Sequence, residues 1–291
     1  MNRVTAVLSA GLLFIGISLA TAQPIQKSTT TIPVFKKSNL SKKEISQLIE
    51  KVKSNKKERK LNEKTPYFLK IAPPYPEDKD DVLKLGITRN TECIPVLDEI
   101  LTNYPSVVTR KNALGSIDLI GEKEPRLVIP VLIKALDDHN ITVRGGAAHR
   151  LVKYGEKEKV LPVLIEIATI KDLNDKNFVK DIMEDEYWGS EFRVIDLWLK
   201  GDKEGIIRIH SHGKEVIKDM ESDPKWVKNW SQQYQSYKEA IILGAIHDLS
   251  ICGSSESIKT IEMVSKEGAS ENIRKEAKGL LQNIQKGGEK K

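Results

Sequence analysis

Apolar residues recur at helical spacing along most of the chain after residue 88, and one series of positions occurs twice. In each copy an arginine is followed by an alanine, an aliphatic residue and a glycine, at steps of three, four and four residues. The two copies are Arg110, Ala113, Ile117, Gly121 and Arg144, Ala147, Leu151, Gly155. Because a helical pattern that returns after 34 residues is typical of stacked helix pairs, we predict an all-α solenoid.

The pattern also predicts which helix comes first in each pair. First helices are expected over residues 90–102, 125–137 and 157–170. Each contains a Pro-Val-Leu series, and these series begin at Pro95, Pro130 and Pro162. We place each proline near the first helical turn, where its missing amide would have no partner. The second helices are expected to end at Gly121 and Gly155 in the left-handed conformation, which glycine adopts without a steric clash.

The best copy of the repeat resembles the HEAT repeat consensus. Its sequence is Leu-Ile-x-x-Leu-Asp-Asp from Leu132, followed by Val-Arg-x-x-Ala-Ala-x-x-Leu from Val143, and residues 90–121 carry a second good copy. The match weakens towards the C-terminus. There we assign a third and a fourth unit that end at Gly201 and Gly253, and one last unit that caps the stack.

The resemblance implies a right-handed α–α superhelix of about five helix pairs over residues 88–285. In HEAT repeats the consensus arginine connects neighbouring helices, so the resemblance implies a structural role for Arg110, Arg144 and Arg274. It further implies a scaffold that binds a protein or peptide along its concave face, lined by the second helices, without a catalytic group. Some members of the HEAT family are enzymes, so a metal-dependent or chromophore-modifying enzyme on the same scaffold is the alternative.

The spacing between helix-ending glycines grows from 34 residues to 46 and then 52. We therefore predict insertions of roughly 12 and 18 residues in the third and fourth units, on the face that solenoids often use for binding. The first insertion offers the acidic and aromatic candidates Asp181, Glu184, Asp185, Glu186 and Trp188. The second places four aromatic residues on one helix face, namely Trp226, Trp230, Tyr234 and Tyr237. These residues are candidates for partner binding, and packing between units is the alternative for the aromatic stripe.

The first residues have the features of a secretory signal peptide. An apolar run from Val4 to Leu19 follows Arg3, and small residues precede a cleavage site expected after Ala22. A run of 16 residues is short for a membrane span. We therefore expect an extracytoplasmic protein, periplasmic or secreted.

Four further segments flank the predicted solenoid. They are a flexible tether at 23–40, a basic amphipathic helix at 41–64, a Pro-rich linker at 65–87 and a polar tail at 286–291. Ser41 and Glu44 have the spacing of a capping box, in which each side chain binds a free amide of the other residue.

Positive charge is concentrated near the start of the chain. Residues 36–64 contain 11 Lys and Arg against 4 Glu, whereas residues 65–291 contain 34 basic and 37 acidic residues. A nucleic-acid-binding protein carries its basic stripe on the folded face that binds, so this distribution argues against a nucleic-acid partner. The basic segment either contacts an acidic surface, such as anionic lipid headgroups, or only keeps a helix solvated.

Few residues suggest chemistry. His210 and His212 are the only close histidine pair, but on the helix expected there their side chains point about 200° apart, and no third metal ligand is near in sequence. Cys93 and Cys252 are expected about three helix-packing steps apart, too far for a disulfide. We therefore predict free thiols, no metal and no cofactor.

Overall fold

The structure, a computed structural model, describes residues 40–54, 79–184, 189–210 and 212–288. The predicted signal peptide, nearly all of the tether and most of the Pro-rich linker lie outside the described residues, as do Asp185, Glu186 and Trp188. Every regular element in the described ranges is a helix, which confirms the all-α prediction. None of the described helices is both long and apolar enough to cross a lipid bilayer.

Fourteen α-helices are described. They are α1 (Lys42–Ser54), α2 (Lys79–Ile87), α3 (Ile94–Asn103), α4 (Val107–Gly121), α5 (Pro125–Lys134), α6 (Ile141–Lys153), α7 (Lys157–Ala168), α8 (Lys176–Met183), α9 (Gly189–Leu199), α10 (Lys203–Ile209), α11 (Gly213–Ser222), α12 (Pro224–Cys252), α13 (Ser255–Glu267) and α14 (Glu271–Gly288). Short 3₁₀ helices at Thr91–Cys93 and Ala135–Asp137 adjoin α3 and α5. Two segments differ from the predicted domain limits, because α2 occupies the end of the expected linker and α14 continues into the expected tail.

The helices pack as a solenoid of pairs. α3 packs on α4, α5 on α6, α7 on α12, and α13 on α14. The second helices of these pairs form a continuous row in the order α4, α6, α12, α14, in which each helix contacts the next. At the N-terminal end α1 packs on α2, and α2 packs on α4. Four helix pairs therefore lie after residue 88, and α1 with α2 forms a further pair at the N-terminal end.

The membership of the third and fourth pairs differs from the sequence prediction. α12 packs on both α6 and α7, so the C-terminal part of α12 is the second helix of the third unit. Residues 169–238, here called the arm, form one long insertion between the two helices of that unit. The predicted division into two short insertions, with a third unit ending at Gly201, is therefore wrong. Gly201 does end a helix, with a φ of 74°, but that helix is α9 of the arm.

Glycines end the second helices in two different ways. Gly155 has a φ of 88°, as predicted for a left-handed helix end, and Gly253 also has a positive φ, of 68°. Gly121 lacks a positive φ, which corrects that prediction. Instead, a Cβ atom at this position would lie 2.5 Å from Val128 Cγ2 and 2.6 Å from Tyr154 Oη. Gly121 is thus required by the close approach of two units rather than by its backbone conformation.

The prolines of the first helices also differ in their positions. Pro95 is the second residue of α3, in agreement with the prediction. Pro130 and Pro162 lie inside α5 and α7, each as the sixth helical residue, so they are not in the first turn. Pro125 takes the favourable first position of α5 instead.

The core confirms the periodicity on which the prediction rests. Ala113, Ile117, Ala147 and Leu151 are completely buried. A fully buried Ile or Leu side chain stabilises the fold by about 1.5–3 kcal/mol. The second helices begin at polar capping residues. Ser106 Oγ accepts a hydrogen bond from the amide of Thr109 at 3.2 Å, and Asn140 caps α6 in the same way.

The N-terminal helix is part of the stack. The Ser41 amide donates to Glu44 Oε2 at 2.7 Å and the Glu44 amide donates to Ser41 Oγ at 3.3 Å, which is the predicted capping box. Ile45 and Val52 of α1 are buried in the core. Lys51 binds the buried carboxylate of Asp81 at 2.6 Å. The apolar side of α1 is therefore covered by the rest of the protein.

Candidate interaction surface

The consensus arginine of α4 joins the first two complete units. Arg110 Nε lies 2.7 Å from Asp138 Oδ2, and Arg110 Nη2 lies 3.0 Å from Asp138 Oδ1. Its Nη1 donates to the carbonyl oxygens of Tyr104 and Pro105. Both charged side chains are nearly inaccessible, at 2% and 6% exposure. Arg110 is therefore occupied by contacts within the protein.

The arginines at the equivalent positions of α6 and α14 make a related contact. Arg144 Nη1 donates to the carbonyls of Asp138 and His139, and its Nη2 binds Glu166 at 2.6 Å. Arg274 Nη1 donates to the Gly268 carbonyl at 2.7 Å. In each unit the arginine thus fixes the turn that precedes its own helix, because it binds a carbonyl six residues earlier.

The described part of the acidic insertion contacts the stack. Asp181 Oδ2 accepts a hydrogen bond from the amide of Ile141 at 2.8 Å, at the N-terminus of α6. Glu184 Oε2 lies 3.3 Å from Asn140 Nδ2. A carboxylate is favourable at this end of a helix because free amides and the helix dipole attract it. Asp181 and Glu184 therefore anchor the arm, while Asp185, Glu186 and Trp188 lie outside the described residues.

The four residues of the aromatic stripe differ in their exposure. The ring centroids of Tyr234 and Tyr237 lie 4.9 and 5.3 Å from that of Phe192 in α9, and Tyr234 is 2% exposed. Trp226 is 39% exposed and its ring lies 5.9 Å from that of Trp230. Trp226 is therefore the exposed residue of the stripe, Tyr234 is buried, and Trp230 and Tyr237 are both partly buried.

Lys238 is the unusual charged residue of this region, since it is only 2% exposed. Its Nζ lies 4.2 Å from the centroid of the Tyr234 ring and 3.1 Å from Asn174 Oδ1. Burial lowers the pKa of Lys238, while the nearby carboxylates of Asp196 and Asp172 act in the opposite direction. The cation is thus held by an aromatic face and one amide oxygen.

The comparison with protein families matches the first part of this stack. Residues 85–175 match the family model of HEAT repeats. This part of the chain is therefore similar to HEAT repeats. The match starts in α2, covers α3 to α7 and ends at residue 175, a few residues into the arm, as expected if the arm interrupts the third HEAT unit. HEAT repeats generally serve as protein-interaction scaffolds. A search of curated proteins finds no match to this sequence.

Two histidines on the row of second helices were missed in the sequence. His149 Nδ1 lies 3.0 Å from Asp248 Oδ1, which joins α6 to α12, and His247 Nε2 lies 3.1 Å from Glu276 Oε1, which joins α12 to α14. Both histidines stand six residues before the glycine that ends their HEAT unit, Gly155 or Gly253. Alignment of the third unit on Gly253 rather than Gly201 would have revealed this shared position.

The other residues considered for metal binding or thiol chemistry are His210, His212, Cys93 and Cys252. His210 and His212 lie at helix ends rather than inside a helix, which corrects the sequence prediction, and their ring centroids are 6.3 Å apart. The described ranges contain no group of three or more His, Cys, Asp or Glu residues that could hold a metal ion. Cys93 and Cys252 are free thiols, and burial raises the pKa of both.

Proposed function

We propose that this chain is an exported, non-catalytic HEAT scaffold that binds a protein or peptide along the row of second helices, α4, α6, α12 and α14. The single observation that carries this proposal is the continuity of that row across the arm insertion. The insertion leaves α6 and α12 in direct contact, so an extended partner would meet one uninterrupted surface.

Side chains on this row are held in place before any partner arrives. Lys153 Nζ binds Asp118 Oδ1 at 3.0 Å, and His149 and His247 bind carboxylates of the next helix. The three side chains nevertheless remain 47–49% exposed. Preorganised side chains lose less conformational entropy on binding, which favours recognition.

Trp226, which is exposed, and Trp230, which is partly buried, supply a second contact region. Trp226 and Trp230 lie in the part of α12 that belongs to the arm, and tryptophan is a frequent anchor of protein interfaces. We include both in the proposed surface and leave Tyr234 and Tyr237 out, because they are engaged with Phe192.

Attachment to an anionic membrane through the basic segment receives less support. An amphipathic helix binds a bilayer with its apolar side, and in α1 that side packs on the stack through Ile45 and Val52. Binding of the full chain to anionic vesicles that survives high salt would favour this function over ours.

The test is affinity capture by the mature chain from its own envelope or culture fluid, with three variants. The row variant carries His149→Gln, Lys153→Met and His247→Gln, which keep side-chain volume and most hydrogen bonds. The arm variant carries Trp226→Ala and Trp230→Ala. The control carries Arg126→Ala and Leu127→Ala, two exposed residues of the first helix α5.

We expect the row variant to bind the captured partner at least about tenfold more weakly, a loss of about 1.4 kcal/mol, and the control to bind like the wild type. Thermal melts monitored by circular dichroism establish that all variants are folded. Wild-type affinity in the row variant would refute the proposed binding face. Export is tested by N-terminal sequencing of the protein isolated from the envelope or medium, where the proposal expects a start at Gln23.

A further inference from the structure

Arg150 of α6 differs from two other arginines on the row of second helices. Arg110 and Arg144 each bind a carboxylate of the stack. The side chain of Arg150 makes a single hydrogen bond within the described part of the chain, from Nη1 to the carbonyl oxygen of Gly146 at 2.8 Å. None of the described carboxylates forms an ion pair with it. Arg150 is therefore a cation of the row that the stack itself leaves largely unused.

The guanidinium of Arg150 keeps donors for a further partner. Its Nε is shielded from solvent and has no hydrogen-bond partner in the structure. Its Nη2 also makes no hydrogen bond to the described residues, but it is not among the buried atoms, and the residue as a whole is only partly buried. An arginine has five N–H donors and stays charged in a protein. Another molecule can therefore meet a permanent positive charge here.

Gly146 gives this side chain room to lie back along its own helix. A Cβ atom added at Gly146 would lie 3.5 Å from Arg150 Nη1 and 3.1 Å from Leu114 Cδ1 of α4. Glycine is unfavourable inside a helix, because it loses more conformational freedom on folding than other residues do. The close approach of α4 and of the Arg150 side chain accounts for its presence. The guanidinium is thus held on the side of α6 that faces α4.

The charges around Arg150 do not cancel. Asp118 of α4 is the carboxylate that acts on Arg150. Its Oδ1 already accepts from Tyr154 Oη at 2.7 Å and from Lys153 Nζ at 3.0 Å. Arg150 and Lys153 bring two positive charges against the single negative charge of Asp118. Burial lowers the pKa of Arg150 against the opposing effect of Asp118, so loss of water from the guanidinium is not fully compensated.

We propose that Arg150, with Lys153 beside it, binds a carboxylate of the protein or peptide that occupies the row of second helices. The inference rests on the proposed scaffold function and adds the chemistry of its partner. A carboxylate oxygen can accept from the free Nη2, in a charge-assisted hydrogen bond, and its single charge balances the local excess. A phosphoryl group would bring up to about two negative charges, more than this cluster leaves uncompensated.

The carboxylate can belong to an acidic side chain or to the C-terminus of the partner, and the experiment separates these sources. The mature chain selects peptides from a pool of random synthetic peptides with free C-termini, and mass spectrometry identifies them. Each selected peptide is then compared with two neutralised forms, one with Asn and Gln in place of Asp and Glu, the other with a C-terminal amide. We expect the form that lacks the bound carboxylate to bind at least about tenfold more weakly in fluorescence polarisation.

Three variants assign this difference to the cluster. Arg150→Gln should bind the original and the neutralised peptide alike. Arg126→Gln removes an exposed arginine from the first helix α5 and should keep the wild-type difference. Lys153→Gln removes the excess positive charge at a side chain that is 47% exposed, and should also reduce the difference. Thermal melts monitored by circular dichroism establish which variants are folded.

A wild-type difference that persists in folded Arg150→Gln would overturn the inference. If Arg150→Gln does not fold, an undiminished difference in Lys153→Gln would do the same. Selected peptides whose affinity depends on no carboxylate would also overturn it. All three outcomes leave the scaffold function standing, because peptides are still bound. Selection of no peptide at all would instead contradict the scaffold function itself, and this inference with it.

Discussion

Arg110 and Asp138 form a bidentate ion pair that joins α4 to the turn before α6, with nitrogen–oxygen distances of 2.7 and 3.0 Å. Removal of one member would leave the other as an uncompensated buried charge. We expect Arg110→Met to destabilise the protein by about 3–5 kcal/mol. Urea unfolding followed by circular dichroism measures the change.

Arg274→Met is the matched control for that experiment. Arg274 occupies the equivalent position in α14, but the hydrogen bond that the structure gives it goes to the Gly268 carbonyl rather than to a carboxylate. Its removal should cost only about 1 kcal/mol, the value of an ordinary hydrogen bond. Equal losses of unfolding free energy in Arg110→Met and Arg274→Met would show that the ion pair with Asp138 does not cause the destabilisation.

Three glycines should respond differently to the same substitution. Gly121→Ala should destabilise by about 1–3 kcal/mol because the new methyl group meets Val128 and Tyr154. Gly155→Ala meets no atom within 4 Å but has a φ of 88°, so it should cost about 1–2 kcal/mol through backbone strain.

Gly279→Ala is the converse case. Gly279 lies inside α14 with no atom within 4 Å of an added Cβ, so alanine should stabilise by about 0.5–1 kcal/mol. Chemical denaturation of the three single variants gives this order directly. A stable Gly121→Ala protein would contradict the close approach of α4 to its neighbours.

These glycines also show how far the sequence could predict the fold. The helical repeat and the buried alanines follow from local spacing, and the structure confirms them. The third unit could not be assigned in this way, because Leu197 and Gly201 reproduce a helix end locally although they belong to the arm. Which helix packs on α7 is decided by contacts between residues far apart in sequence.

The aromatic stripe shows the same limitation at the candidate surface. Helical spacing correctly places Trp226, Trp230, Tyr234 and Tyr237 on one helix, α12. It does not reveal that Phe192 of α9 covers the two tyrosines. His149 and Asp248 were missed for a related reason, since their pairing depends on the contact between α6 and α12.

The ionised carboxylate of Asp118 should stabilise the folded protein, and this contribution should be lost in acid. Burial alone would raise the pKa of Asp118, but Arg150 and hydrogen bonds from Tyr154 and Lys153 outweigh it and lower the pKa. The folded state therefore releases this proton more readily than the unfolded chain, so its contribution is present above the ordinary value of 3.8 and is lost as pH falls through the lowered value.

Asp118→Asn tests that dependence. The variant should be less stable than the wild type at pH 6, and the difference should shrink as the pH falls below 4. Urea midpoints across this interval measure it. A difference that stays constant with pH would mean that the charge of Asp118 contributes nothing.

Lys238, unlike Asp118, should destabilise the folded protein while it is charged. Its pKa is lowered by burial, so the unfolded chain binds this proton more tightly, and its charge opposes folding until the pH rises towards the ordinary value of 10.5. We expect Lys238→Met to stabilise the protein at pH 7 by on the order of 1 kcal/mol, because an apolar side chain of similar length avoids desolvation of the ammonium.

The pH profile separates this effect from simple packing. Stability of the wild type relative to Lys238→Met should rise between pH 7 and pH 10, as measured by urea midpoints. Lys214→Met, at an exposed lysine of α11, is the control and should show no such trend. A strongly destabilised Lys238→Met would instead indicate that the contact with Tyr234 outweighs desolvation.

The direct contact between α6 and α12 is the feature on which the continuous binding surface depends. It is tested by a short bismaleimide cross-linker on a protein with His149→Cys and Asp248→Cys in a Cys93→Ser, Cys252→Ser background, with peptide mass spectrometry as the readout. The account expects efficient intramolecular cross-linking, since these side chains touch. If another HEAT unit of about 8–10 Å lay between α6 and α12, the folded protein would not form the cross-link. That result would contradict the continuous row of second helices.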